Sequence, residues 1–185
     1  MTVTLVQNYN PEWPEWFEII KRYLGQKVSQ ACIRIEHIGS TSVPSMIAKP
    51  IIDLDLVIES QRFEEVKNLL EEVGYYHRGD LGIPEREAFD LIDEAVKESL
   101  PAHHLYVCPK HSEALMRHIF FREYLKCHKA ESKWLSTLKW SLAEKFDNDK
   151  YPYMDGKAAL CEEIIGRALK YFDGSSHQKQ IYRSP

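Results

Sequence analysis

"EHIGSTSVPSMIAKPIIDLDLVIES", residues 36 to 60, joins a Gly-Ser turn, a lone Lys-Pro and a strongly apolar run that carries two aspartates one residue apart. The segment "PIIDLDLVI" reads as a strand, and its Ile, Leu and Val content is that of a central strand covered on both faces. Side chains alternate along a strand, so Asp53 and Asp55 share one side, with Cβ atoms about 7 Å apart. Two like charges held that closely in an apolar setting repel and resist desolvation. Either a cation lies between them, or the pair sits at an exposed sheet end with one carboxylate capping a neighbouring helix and the other solvated. Magnesium answers the first case, because it takes one or two protein carboxylates and fills its remaining positions with water and phosphate oxygens. On that reading, removing Asp55 relieves repulsion and leaves the metal-free chain no less stable.

The segment before the aspartates adds context. "QACIRIEHIGS" alternates as a strand ending in a turn at Gly39 and Ser40. Such a turn leading into a short helix presents backbone N–H groups and the hydroxyls of Ser40 and Thr41, which suits phosphate. It equally suits a tight turn with a Ser or Thr cap. It is not a Walker A loop, since the second glycine followed by Lys-Ser or Lys-Thr is missing.

Upstream, Asn10 as N-cap and Pro11 at the first helical position open a helix that presents Trp16, Phe17, Ile20, Tyr23 and Leu24 on one face and stops at Gly25. Downstream, Phe63, Val66, Leu69, Leu70 and Val73 mark a helix ended by Gly74. Residues 75–108 hold two β-like runs separated by "EAVKESLP". From Ser112 the spacing is helical. One stripe is Trp134, Leu135, Leu138, Leu142 and Phe146, with Trp134 and Trp140 expected in the core. Another is Met154, Ala158, Cys161, Ile165, Ala168 and Phe172. These patterns predict an α/β (α+β) fold, a mixed sheet flanked by helices with a helical C-terminal part. Residues 1–173 form a single domain, its sheet-containing core spanning about 1–110 and its helical part about 111–173, with a loosely attached tail at 174–185.

Composition narrows the function classes. A net charge of −4 gives no overall basic footprint for nucleic acid, and no apolar run reaches the roughly 18 residues of a membrane span. The first residues lack a secretory pattern, and four widely spaced cysteines fit reduced thiols, so the expected location is cytoplasmic.

Strand, Gly-Ser turn, short helix and Asp-x-Asp strand, in that order, resemble the nucleotidyltransferase superfamily associated with DNA polymerase β. "WPEWF", "RIEHIGSTSVP", "KPIIDLDLVI", "GIPER", "HHLYV" and "FREYLKCH" are similar, in sequence and order, to the GrpB family of small bacterial proteins with that nucleotidyltransferase-like fold; the likeness runs from about residue 5 to 172. The resemblance implies a nucleoside triphosphate held at Gly39, Ser40 and Thr41, with Lys49 and Arg86 supplying positive charge. It further implies magnesium, or manganese, on Asp53 and Asp55 as the catalytic pair, and transfer to an unknown acceptor. The chain departs from the family pattern at Ser45, where glycine is usual, and in the longer acidic stretch after "GIPER". It also keeps both aspartates where many members keep only the first.

A third carboxylate commonly completes a nucleotidyltransferase site from the neighbouring strand. "HHLYVC" offers His104 and Tyr106 on one face and His103 on the other, so His104 is the ligand available there, and Glu87, Asp90 and Asp93 are alternatives from the hairpin. An acid in reach of the pair favours an enzyme. A His or Tyr favours a module that only binds a small ligand or a partner. Lys49 meets a phosphate or pairs with Asp53, Arg86 and Arg122 clamp phosphate or pair with Glu36 or Glu87, and His37 shapes the turn. Zinc on His103, His104, Cys108 and His111 is disfavoured, because His103 faces away from His104 and Cys108.

Overall fold

The computed structural model describes residues 5–173. Helix α1 (Trp13–Ala31) leads into β1 (Arg34–Ile38), a single 3-10 turn (Ser40–Ser42) and β2 (Ile52–Ile58). Then come α2 (Phe63–Glu72), β3 (Tyr75–Gly79), β4 (Glu87–Leu91), the short α3 (Glu94–Ser99) and β5 (His103–Pro109). Three helices close the chain: α4 (Glu113–Cys127), α5 (Lys129–Lys145) and α6 (Lys150–Asp173).

The five strands form one mixed sheet in the order β1-β2-β5-β4-β3. Only β2 and β5 run parallel; the remaining neighbours are antiparallel. A parallel pair needs a long crossover, supplied here by α2, the β3–β4 hairpin and α3. β2 is thus central, as its composition predicts.

Alternation along β2 divides the molecule. Ile52 and Leu54 pack with Trp13, Phe17 and Ile20 of α1, and Leu56 and Ile58 pack with Leu24, Val66 and Leu70 of α1 and α2. Val57 faces the other way, into a cluster with Cys108, Leu115, Ile119, Leu135 and Ile164 contributed by β5 and α4 to α6. Asp53 and Asp55 share the Val57 side, so the aspartates face the helical half.

Several sequence expectations shift. Asn10 stands two residues before Glu12, its side chain accepting from the Glu12 N–H, and α1 starts at Trp13 with Pro14 in its first turn. Gly25 (φ +80) interrupts α1, which resumes to Ala31. The inward face of α6 is Tyr153, Leu160, Ile164, Ala168 and Phe172, rotated from the expected stripe and leaving Met154 44% exposed. Trp134 is 49% exposed, against the core placement expected for it, with the Arg167 guanidinium 5.9 Å from its ring. Trp140, on the same helix, is half-buried against Val6, Leu142 and Ala143. The expected tail lies outside the described residues. Among those residues, no helix is long and apolar enough to cross a membrane.

Gly156 lets α6 approach α5: a Cβ there would stand 2.7 Å from Leu142 Cδ2. Gly156→Ala displaces the end of a flexible side chain and gains helix propensity, so it changes stability by less than about 1 kcal/mol. Gly156→Val wedges the helices apart and costs about 1–3 kcal/mol. Denaturant unfolding of both variants checks this; equal stabilities would mean that the approach is not tight.

Candidate functional site

The strand register sets the geometry. Ile38 of β1 lies opposite Asp53, so the turn at Gly39 begins beside that carboxylate, while Asp53 pairs with His104 and Asp55 with Tyr106 across to β5. Gly39 has φ +70, a region L side chains rarely enter, and a Cβ there would stand 2.3 Å from Asp53 Oδ2. The glycine serves the approach of the turn to Asp53. The turn then ties itself down: Ser42 Oγ donates to the Gly39 carbonyl at 2.6 Å, and Thr41 Oγ1 donates to the Ile51 carbonyl at 3.3 Å. With its hydroxyl proton used there, Thr41 Oγ1 accepts from His37 Nε2 at 3.0 Å.

Each aspartate has a histidine. His104 Nδ1 lies 2.8 Å from Asp53 Oδ1. Asp55 is fully buried, with His118 Nδ1 of α4 at 2.8 Å from Oδ2 and the Cys108 thiol directed at Oδ1 from 3.8 Å. The two carboxylates therefore share a face without sharing a cavity, Asp53 at the surface of the cleft and Asp55 a layer below.

The cavity over the turn has a volume of about 350 Å³. Its wall includes Ser40, Thr41, Lys49, Asp53, His104 and Tyr106, closed by Lys139 of α5 and Lys150, Tyr153 and Lys157 of α6. Asp53 is the one carboxylate among these residues. Lys49 and Lys157 stand over the Tyr153 ring at 4.9 and 5.5 Å. Burial, reinforced by Lys157 and Lys150, lowers the Lys49 pKa to about 8. Lys139 donates to Ser40 Oγ at 2.5 Å.

The arginines separate. Arg122 is a structural clamp, donating to Glu36 Oε2 at 2.7 Å and to the His37 carbonyl at 2.8 Å. Arg86 pairs with neither Glu36 nor Glu87. Its guanidinium lies 4.5 Å from the Tyr106 ring, and its buried Nε has no partner among the described residues. It is not among the residues that line the cavity.

The place opposite Asp55 belongs to Tyr106, and the hairpin acids are occupied elsewhere. Glu87 bonds His77 at 2.6 Å, Asp90 faces Lys97 at 3.5 Å and Asp93 caps α3. His103 turns to Tyr75 and away from His104, as the alternation predicts, and among the described residues no three His, Cys, Asp or Glu side chains are placed to hold a metal. As arranged, the two acids do not offer one magnesium ion a free oxygen from each: both Asp55 oxygens are engaged by His118 and Cys108, and of the Asp53 oxygens only Oδ2 is without a hydrogen bond among the described residues. Sequence reading missed His118 and Lys139. Lys139 had a signal, a lysine one turn from Leu135 and one before Leu142 on an apolar stripe. His118 had only its place beside Leu115 and Ile119.

Two expectations about stability follow. Asp55 is a hydrogen-bonded core residue, so the predicted relief on its removal reverses: Asp55→Ala strands His118 and costs about 1–3 kcal/mol, and Asp55→Asn, which keeps an acceptor, costs less. Thermal melts test that order, and an unchanged midpoint for Asp55→Ala overturns it. His37 stacks on Phe17 at 5.0 Å, and burial, with Arg122 and Lys126 against the opposing pull of Asp53, lowers its pKa to about 4. The unfolded chain thus takes up a proton below about pH 6.5 that the folded chain refuses, and stability drops as pH falls from there toward 4, by roughly 3 kcal/mol at most. His37→Gln flattens that part of the stability-pH curve; an unaltered curve would place the titration elsewhere.

Comparison with known proteins agrees with the motif order. The model of the family described as "GrpB protein" matches residues 3–167. A glutamate-rich protein GrpB of Alkalihalophilus pseudofirmus is 31% identical over 163 residues, covering 87% of this chain and 93% of that protein. The UPF0157 protein YqkA of Bacillus subtilis is 35% identical over 172 residues and 91% of this chain, which spans 48% of YqkA's length. The crystal structure of conserved protein GrpB from Enterococcus faecalis superposes with a TM-score of 0.76 at 32% identity, covering 90% of this chain and 98% of that one. With the family model matching nearly the whole chain and relatives above 30% identity covered over most of their length, the chain belongs to the GrpB family.

Proposed function

We propose that the cavity over the Gly39–Thr41 turn binds a phosphorylated small molecule, with a nucleoside triphosphate as the ligand that the order of motifs favours. One observation carries the reading: Lys49, Lys139, Lys150 and Lys157 surround Ser40 and Thr41, with Asp53 the one carboxylate in the wall. Four amines converging on hydroxyls in a chain of net charge −4 concentrate positive potential at one place, which favours a ligand carrying several negative charges. Tyr106 supplies an aromatic edge. Beyond it, a neighbouring hollow sharing His104 and Tyr106 and lined by Arg78, Asp90 and Lys97 offers room for the rest of the ligand.

Binding is favoured over transfer by the residue opposite Asp55. The register puts Tyr106 there, and its hydroxyl pKa is raised to about 12 by burial and then by Asp53, so it stays a neutral donor near pH 7. Transfer to an acceptor remains the second reading, favoured by the common face of Asp53 and Asp55.

Titration calorimetry with ATP, AMP and adenosine, in the presence of a chelator, tests the proposal. Expected are affinities falling in that order, a strong weakening with added salt, and a loss of about tenfold in ATP affinity for Lys157→Gln, equivalent to about 1.4 kcal/mol. Equal affinity for all three ligands, or none, would overturn it. Release of pyrophosphate from ATP by the unmodified protein with magnesium in place of the chelator, the nucleotidyl group being recovered on an acceptor hydroxyl or amine, would establish the second reading instead.

A further inference from the structure

The buried face of α5 carries one basic side chain. Leu135, Leu142 and Ala143 on that face are apolar, and Lys139 lies among them at 2% exposure. Its amine donates to two neutral oxygens, Ser40 Oγ at 2.5 Å and the Ile47 carbonyl at 3.1 Å. No carboxylate within salt-bridge distance answers it among the described residues. The charged and titratable groups that act on it are Lys157 and Cys161 of α6 and Asp53 of β2, and Ser40 faces it from the turn. Burial, then Lys157, lowers its pKa to about 7 against the opposing pull of Cys161 and Asp53.

A structural role accounts for part of this. Ser136, one turn earlier on α5, accepts from the Ile47 N–H at 3.1 Å while Lys139 donates to the Ile47 carbonyl, so α5 clamps that loop at both backbone groups. The clamp needs a donor. It does not need an ionisable amine, whose burial without a counter-ion is costly. Both Lys139 and Ser40 also line the cavity, so the amine stands at its inner wall beside the hydroxyl that a ligand meets.

We propose that Lys139 is the innermost contact for the terminal phosphate of the ligand, and that this phosphate is taken up together with a proton. The inference rests on the cavity being a phosphate-ligand site. A phosphate supplies the absent counter-charge, and an opposite charge within about 4–6 Å strengthens the basicity of a neighbouring amine roughly ten- to a thousandfold. Near pH 8 the amine is mostly neutral in the free protein and charged in the complex, so binding draws in a proton; near pH 6 it is already charged and the uptake vanishes. Lys49, whose pKa is lowered to about 8, adds a parallel contribution that remains when Lys139 is replaced.

The test is titration calorimetry with inorganic tripolyphosphate in Tris and in HEPES near pH 6 and pH 8, on the parent, Lys139→Met and Lys139→Arg. The heat difference between buffers counts protons. Near pH 8 the parent is expected to take up about one proton more than either variant, and its affinity to fall with rising pH by up to about tenfold per pH unit more than that of Lys139→Arg, whose charge does not titrate. If Lys139→Met fails to fold, the arginine variant and the parent's own change in uptake between the two pH values decide. Equal uptake in parent and Lys139→Arg, or none in the parent at pH 8, overturns the inference and leaves phosphate binding standing. No binding by the parent at either pH overturns both.

Discussion

The parallel pairing of β2 with β5 governs the rest of the structure through one consequence of strand alternation. Once Ile52, Leu54, Leu56 and Ile58 are committed to the α1 and α2 side, Asp53 and Asp55 must face α4 to α6. A carboxylate fully inside a protein needs a partner, and leaving one unpaired costs several kcal/mol. Asp55 finds His118, so its burial also fixes α4 against the sheet. Asp53 finds His104 on the adjoining strand and excludes every residue but glycine at position 39. The turn, the helical cover and the cavity floor are all positioned by two acids that a strand of this composition would otherwise omit.

The same pairings leave the cavity electrostatically one-sided. Asp55 is spent beneath the wall, Glu36 is spent on Arg34 and Arg122, and Glu87 on His77. What remains facing the turn is Asp53 and a set of lysines from α5, α6 and the loop before β2. Two of those lysines, Lys49 and Lys139, have lowered pKa values, first because burial penalises the charged amine and then because Lys157 crowds each of them. A fold gains nothing from such crowding, and local conflicts with folding rules concentrate where a ligand resolves them.

Much of the fold was legible because it rests on local patterns. "IIDLDLVI" announced a central strand, Gly74 ended α2, and Ser112 capped α4 with its side chain accepting from the Leu115 N–H. The errors lie where a local pattern has more than one tertiary solution. Gly25 reads as a stop, yet α1 passes it at positive φ because the residues beyond, Val28 and Ala31, still find the core. On α6 the alternating apolar positions admit two neighbouring faces, and packing on α4 and α5 selected Tyr153, Leu160 and Ile164. In the site, residues carried on strands were found by alternation: His104 and Tyr106 stand where the register requires. His118 and Lys139 come from helices 63 and 99 positions away from their partners, Asp55 and Ser40, and only the packed bundle brings them there.

The contrast between the two aspartates also bears on how the family resemblance is read. A pair of carboxylates at this spacing is chemically ready for a divalent ion, but readiness depends on their oxygens being free to bind it. Here a histidine from β5 holds one acid, and a histidine from α4 together with a thiol holds the other. A hydrogen bond from a ring nitrogen to a buried carboxylate is individually modest, about 1.5–3 kcal/mol when a charged group takes part. Asp53 keeps Oδ2 without a hydrogen bond among the described residues, but Asp55 would have to give up one of its partners for an ion to bridge the pair. Lys49, Lys150 and Lys157, by contrast, hold no carboxylate within salt-bridge distance among the described residues and line the cavity. On the proposed reading the lysine wall is the part of this site that meets the ligand, and the Asp-His pairs are the frame that positions the turn.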